Sequence, residues 1–284
     1  MNTSASPIQA ERLVKSFGRV EAVRGVSFCV RSQTITAFLG ENGAGKTTTL
    51  RLLLGFLRPD SGSVSLGATR VGYVPEQPAF FPWIKGEGIV RATAGKYGIP
   101  PSVVGERLEE LTGRLGFDPG LLVRIVNTYS AGNRKKLSYL QSLLVSPDLL
   151  VVDEPFSALD PQSIRAVREL LLEMRAAGQT IFLSSHLLSE LERVCDDFIV
   201  IRKGRIVAQD NLPKLRDGHV FVRLERSLQE KWGSLPLPYP RRVRGRFIDW
   251  LVPRRRLESI DRVLLDKAEI RPLDLERLFL FLAD

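Results

Sequence analysis

Two apolar runs, each ending in chemically distinctive residues, organise the first two thirds of this 284-residue chain. Thr34-Ile35-Thr36-Ala37-Phe38-Leu39 has the length and composition of a buried strand, and Thr47 to Leu57 carries leucines at helical spacing. The glycines between them predict a strand-to-helix turn. In the second run, Leu149-Leu150-Val151-Val152 is apolar at every position before Asp153 and Glu154. Continuous rather than alternating apolarity predicts a strand covered on both faces, in a parallel sheet that delivers both carboxylates to its carboxyl edge. After residue 215 the pattern changes. His219 to Leu224 alternates like a strand, Gly233 to Pro240 is proline-rich, Arg246 to Val252 reads as another strand, and Leu257 to Asp266 and Leu273 to Leu282 have helical spacing. A small α+β unit is expected there, and the chain has no internal repeat.

The turn after the first strand carries the chemistry. Gly40-Glu41-Asn42-Gly43-Ala44-Gly45-Lys46-Thr47 fits the phosphate-cradling pattern G-x-x-x-x-G-K-[ST] at every fixed position, with Thr48 following it. Glycines let the backbone close around a polyphosphate with its N–H groups inward. The positive end of the following helix and Lys46 add charge at the β- and γ-phosphates, and the Thr47 hydroxyl is suited to Mg²⁺. At the second edge, Asp153 is expected to hold Mg²⁺ and Glu154 to take a proton from water attacking the γ-phosphate. A nucleotide with a γ-phosphate, bound with Mg²⁺, is therefore the expected ligand.

Composition bounds this picture without redirecting it. A 44% hydrophobic content supplies a substantial core, no apolar run approaches membrane-helix length, and Met1 to Pro7 lacks an export signal, so a cytoplasmic protein is expected. Cys29 and Cys195 sit apart in apolar segments and read as buried thiols. The net charge of +9 permits a nucleic-acid or anionic-membrane partner without choosing one. Arg241-Arg242-x-Arg244-x-Arg246 and Arg254-Arg255-Arg256, the densest basic clusters, read as solvated surface.

Tyr129-Ser130-Ala131-Gly132-Asn133-Arg134-Lys135-Lys136, 84 residues after Lys46 if counted to Ser130, leads into a leucine-rich helical stretch to Val145. With the preceding motifs, this segment resembles the signature of the ATP-binding subunit of ABC (ATP-binding-cassette) transporters, usually Leu-Ser-Gly-Gly-Gln. The resemblance covers about residues 8–215. It implies an α/β fold: a P-loop NTPase core with a parallel sheet, a β-rich N-terminal lobe and a helical subdomain over about 78–146, with 216–284 as a C-terminal accessory appendage.

The same resemblance implies roles. Ser130, Ala131, Gly132 and Asn133 would open a helix toward the γ-phosphate held by a second cassette. Ser157-Ala158-Leu159-Asp160 resembles the D-loop, with Asp160-Pro161 starting a helix to about Ala176. His186, after a strand from Thr180 to Ser184, resembles the switch histidine that helps orient Glu154, and Phe17 the aromatic that stacks on adenine. Glu76, rather than Gln77, falls where a glutamine usually contacts Mg²⁺. Phe80, Phe81, Trp83 and Tyr97 lie where a permease docks, with subdomain core as the competing role for each.

These implications add up to an ATP-hydrolysing subunit that powers a separate integral-membrane permease, bound at the cytoplasmic face with a second cassette. The loosely matching end Pro272-Leu273-Asp274-Leu275-Glu276-Arg277-Leu278-Phe279 points to export. A soluble cassette ATPase acting on ribosomes or nucleic acid is the alternative, although such proteins usually carry two cassettes. The appendage, without a nucleotide motif, is expected to regulate or stabilise the assembly and to take no part in phosphate chemistry.

Overall fold

The computed structural model describes residues 6–185, 187–228, 242–258 and 262–283. Three strands, β1 (Ile8–Phe17), β2 (Val20–Val30) and β4 (Ser61–Leu66), form an antiparallel sheet in the order β2-β1-β4. It is the expected β-rich lobe. Alternation along β2 turns Phe28 and Val30 inward and leaves Cys29 exposed, which corrects the expectation of a buried thiol; Cys195 is buried.

The second sheet contains β3 (Ile35–Leu39), β5 (Val71–Val74), β6 (Leu149–Asp153), β7 (Thr180–Ser184), β8 (Asp197–Arg202) and β9 (Arg205–Asn211). Its order is β5-β6-β7-β3-β8-β9, parallel except for β9, which runs antiparallel to β8. All five residues of β3, β6 and β7 are buried, as a sheet covered on both faces requires. One face meets the β-rich lobe through an aromatic trio in which Phe28 lies 5.7 Å from both Phe38 and Phe182.

Helix α1 (Lys46–Leu53) follows β3, and α2 (Gly86–Lys96), α3 (Pro101–Leu115) and α4 (Ala131–Leu143) fill the interval between β5 and β6. The α1 helix stops earlier than the leucine spacing suggests. Gly55, at φ 72°, turns the chain out, and the amides of Phe56 and Leu57 both donate to the Arg51 carbonyl. Helix α5 (Pro161–Ala176) begins and ends where expected, followed after β7 by a short α6 (Leu188–Leu191).

The chain leaves β9 through α7 (Leu212–Gly218) into an antiparallel sheet of order β11-β12-β10-β13, made of β10 (His219–Glu225), β11 (Arg242–Arg244), β12 (Phe247–Pro253) and β13 (Glu269–Pro272). Short helices α8 (Arg254–Leu257) and α9 (Arg262–Leu265) intervene before β13, and α10 (Leu275–Ala283) follows. Sequence pattern missed β13, an edge strand with all four residues exposed. The proline-rich stretch 233–240 lies outside the described residues. One face of the sheet, with Val222, Leu224, Ile248 and Trp250, has its own core; the other, with Phe221 and Leu251, joins the core of the cassette.

Helix α10 is the second tie back to the cassette. Leu275, Leu278, Phe281 and Leu282, at most 2% exposed, pack in one cluster with Leu191, Val194 and Phe198. Burying each such side chain contributes about 1.5–3 kcal/mol.

Candidate functional site

The carboxyl ends of β3, β6 and β7 meet at a cavity of about 620 Å³. Its wall includes Gly40, Glu41, Asn42, Gly43, Gly45, Lys46, Thr47 and Thr48 of the glycine turn, together with Glu76, Asp153, Glu154 and Ser185. The turn exists because Gly45 holds φ 107°, where an added Cβ would lie 2.4 Å from the Ala22 carbonyl oxygen. Ala44 is set back from this wall: its methyl lies in the core and its amide donates to the Glu41 carbonyl at 3.1 Å.

Lys46 is 8% exposed, and its ammonium donates to the carbonyls of Gly40 at 2.6 Å and Glu41 at 3.2 Å. Burial lowers its pKa from the usual lysine value, opposed by the charges of Glu154, Asp153 and Glu76. An anion in the cavity would favour the charged form. The Thr47 hydroxyl donates to Asp153 Oδ2 at 3.2 Å, while Ser184 donates to Asp153 Oδ1. Thr47 and Asp153 are thus already paired as two oxygen donors.

Glu154 is 6% exposed and holds φ 51° immediately after β6. That left-handed conformation in a non-glycine residue costs on the order of 1–3 kcal/mol, a strain typical of functional positions. Surrounding bonds fix it: its amide donates to the Ser184 carbonyl at 2.9 Å, and Ser185 Oγ donates to Glu154 Oε2 at 3.0 Å. Ser184 and Ser185 were not singled out from the sequence, where two serines closing a strand carry no distinctive signal. His186 lies outside the described residues.

Glu76 lines the cavity and its neighbour Gln77 does not. Beneath this loop lies Lys135, which the sequence reading passed over. It is 1% exposed, and its ammonium donates to the carbonyls of Pro75 at 2.8 Å and Asp153 at 2.9 Å. One α4 side chain therefore clamps the residue before Glu76 to the residue before Glu154. Burial pulls its pKa down to about 8, against the pull of Asp153, Glu154 and Glu76.

Ser130, Ala131, Gly132 and Asn133 do not line this cavity. Ser130 caps α4, its Oγ accepting the Asn133 amide at 3.1 Å. Gly132 runs close to the D-loop segment: an added Cβ would sit 2.8 Å from the Ala158 carbonyl oxygen. Asp160 caps α5 through the Ser163 amide at 2.9 Å, and its bonds to Ser163 lower its pKa. Ser157 donates to the Glu154 carbonyl at 3.0 Å, and Leu159 packs against the core. Phe17, half-exposed at the end of β1, stands apart from the cavity wall, with the Lys15 ammonium 5.8 Å from its ring.

Of the four aromatics of the helical region, Phe81 and Trp83 are 66% and 72% exposed and stack at 5.4 Å. Tyr97 is exposed, and Phe80 is half-buried against the core. Residues 216–284, expected to take no part in phosphate chemistry, bring one apolar side chain to the site. Phe279 of α10 lies on the wall of the cavity.

This arrangement can bind a polyphosphate: a glycine turn at a helix start and one ammonium share a cavity with two carboxylates at the edge of a parallel sheet. Comparisons with known proteins agree. Residues 23–157 match the ABC transporter family. Over 207 residues the chain is 36% identical to an uncharacterised ABC transporter ATP-binding protein of Nostoc sp. (69% of this chain, 62% of the relative). Over 230 residues it is 34% identical to another from Bacillus subtilis (79% and 77%). The Nod factor export ATP-binding protein I of Ralstonia nicotianae is 38% identical over 222 residues (71% and 66%). The chain thus spans less than two thirds of the Nostoc relative and 66% of the Ralstonia one. A solved ATP-binding subunit of an ABC transporter superposes with a TM-score of 0.70 at 29% identity, covering 75% of this chain and 92% of that one. With a P-loop built into a parallel α/β sheet and relatives matched across most of its length, the chain belongs to the ATP-binding proteins of the ABC transporter family.

Proposed function

We propose that this protein hydrolyses ATP to drive transport through a separate integral-membrane permease, in the direction of export. The observation that carries this reading is the convergence of Lys46, Thr47, Asp153 and Glu154 on one cavity. In it, the turn amides and Lys46 bind the β- and γ-phosphates, and Glu154, held by Ser185, accepts the proton of the attacking water. His186 would contact the γ-phosphate, and Phe17 would offer a π-face to adenine.

Thr47, Asp153 and Glu76 would hold Mg²⁺. The donor set fits, because all three offer oxygen, as a hard cation requires, and Mg²⁺ usually needs only one or two carboxylates beside the substrate's phosphates. When bound, the ion neutralises charge developing on the phosphates.

The signature residues Ser130 and Gly132 would act on a second cassette, either another copy or a related chain. Their absence from the cavity of their own chain and the exposed start of α4 support this reading. Ser157 to Asp160 would run along that interface. Export is supported by the name of the Ralstonia relative, a Nod factor export ATP-binding protein, and by the loosely matching segment from Pro272 to Phe279. No helix among the described residues is long and apolar enough to cross a membrane, in keeping with a separate permease and docking at the cytoplasmic face. The stacked, exposed Phe81 and Trp83 are the proposed anchors.

Co-purification from detergent-solubilised membranes tests the assignment. A membrane permease recovered with the wild-type chain and lost with Trp83→Arg is the expected result; recovery on ribosomes or nucleic acid instead would favour the soluble alternative.

A further inference from the structure

Phe279 comes from the last helix of the chain yet shares a cavity wall with Lys46, Asp153 and Glu154. Its position follows from the periodicity of α10. Leu275, Leu278 and Leu282 form the buried stripe, and Phe279, one residue round from Leu278, sits on its flank, half-buried. Helix α10 packs against α6 and β8. Its first turn is fixed twice: Asp274 Oδ1 accepts the Arg277 amide at 2.7 Å, and Glu192, just past α6, accepts the Leu275 amide at 3.3 Å.

Helix α6 is no neutral support. It begins three residues after Ser185, whose hydroxyl bonds Glu154 at 3.0 Å and accepts the Leu187 amide at 3.1 Å. Leu188, the first residue of α6, lines the same cavity as Phe279. The segment that orients the catalytic carboxylate is therefore held on one side by Glu154 and on the other by the C-terminal helix.

We infer that α10 is part of the nucleotide site: Phe279 closes the wall of the cavity beside Leu188, so that nucleotide binding and docking of the C-terminal unit strengthen each other. This inference rests on the nucleotide-binding reading above. The ring offers phosphate no donor. It excludes water from one side of the Lys46 and Glu154 environment, where a lower dielectric strengthens the attraction between Lys46 and phosphate. Coupling is reciprocal by linkage: if ordered α10 favours bound ATP, bound ATP must favour ordered α10. The appendage thereby gains a physical means of sensing the nucleotide state.

The test uses the full-length chain and Mg²⁺-ATP in two measurements. Hydrogen exchange of the wild-type protein should show amides in residues 275–283 exchanging about threefold or more slowly with nucleotide. Equilibrium binding of ATP should weaken about three- to tenfold in Phe279→Ala, equivalent to about 0.7–1.4 kcal/mol, with affinity recovered in Phe279→Tyr and unaltered in Glu276→Ala, an exposed position of the same helix. Lys46→Ala, run in parallel, should abolish both responses. If the wild-type chain binds ATP but exchange in α10 ignores it and Phe279→Ala binds as tightly, the inference is overturned while the nucleotide site stands. If the wild-type chain binds no ATP, the reading of the site itself fails.

Discussion

The Lys135 ammonium donates to the backbone carbonyl of Asp153 at 2.9 Å, so the helix that opens with Ser130 is fastened to the strand end that presents Asp153 and Glu154. Its second bond, to the Pro75 carbonyl at 2.8 Å, fastens the loop carrying Glu76 to the same point. A cation buried against carbonyls lets any movement of α4 be felt at both acidic positions.

Lys135→Met should reduce turnover about tenfold, since two buried carbonyls lose their donor and the strand end presenting Glu154 loses its clamp. It should also change how stability depends on pH. Burial lowers the Lys135 pKa to about 8 from 10.5, so between those values the unfolded chain binds a proton that the folded chain lacks. That contribution to stability rises as pH increases through the window. Denaturant titrations should show wild type gaining about 1–3 kcal/mol relative to Lys135→Met between pH 7 and pH 10. A pH-independent difference would mean Lys135 titrates normally.

Thr47→Ala should separate metal from nucleotide. The hydroxyl pairs with Asp153 and leaves Lys46 and the turn amides in place. Hydrolysis should then require several-fold more Mg²⁺, while metal-free ATP binding stays close to wild type. An unchanged Mg²⁺ requirement would remove Thr47 from the metal site.

How much of this was legible in the sequence differs by kind of information. The glycine turn, the Asp153-Glu154 strand end and α5 were legible because each is fixed locally, by spacing, continuous apolarity or an Asp-Pro start. The end of α1 was not, because leucines continue past the turn that Gly55 makes. Cys29 was misplaced because an apolar segment does not state which alternate residues face inward. Lys135 was missed because a lysine among basic neighbours reads as solvated, and its burial depends on two carbonyls supplied from 60 and 18 residues away. The helical pattern at the chain end was legible, but its landing place beside α6 was not, since periodicity reveals an apolar face and never its partner.

Mixing experiments address the second cassette. Ser130→Arg should retain ATP binding, as Ser130 stands apart from the cavity of its own chain, and should lose hydrolysis. Lys46→Ala should bind ATP poorly. If two copies form the working pair, mixing these inactive proteins should restore hydrolysis, because one site of each mixed pair has an intact Lys46 facing an intact Ser130. Failure to restore any activity, with mixed pairs demonstrably formed, would contradict sites completed across subunits.

Glu154 is buried, backbone-strained and bonded to Ser185 at the edge of the cavity. The most direct measurement is Mg²⁺-dependent ATP binding and steady-state hydrolysis by wild type and Glu154→Gln side by side. Removing the base while keeping the shape should leave ATP affinity near wild type and lower turnover by about 10²-fold or more. Hydrolysis by Glu154→Gln at the wild-type rate would show that Glu154 is not the base.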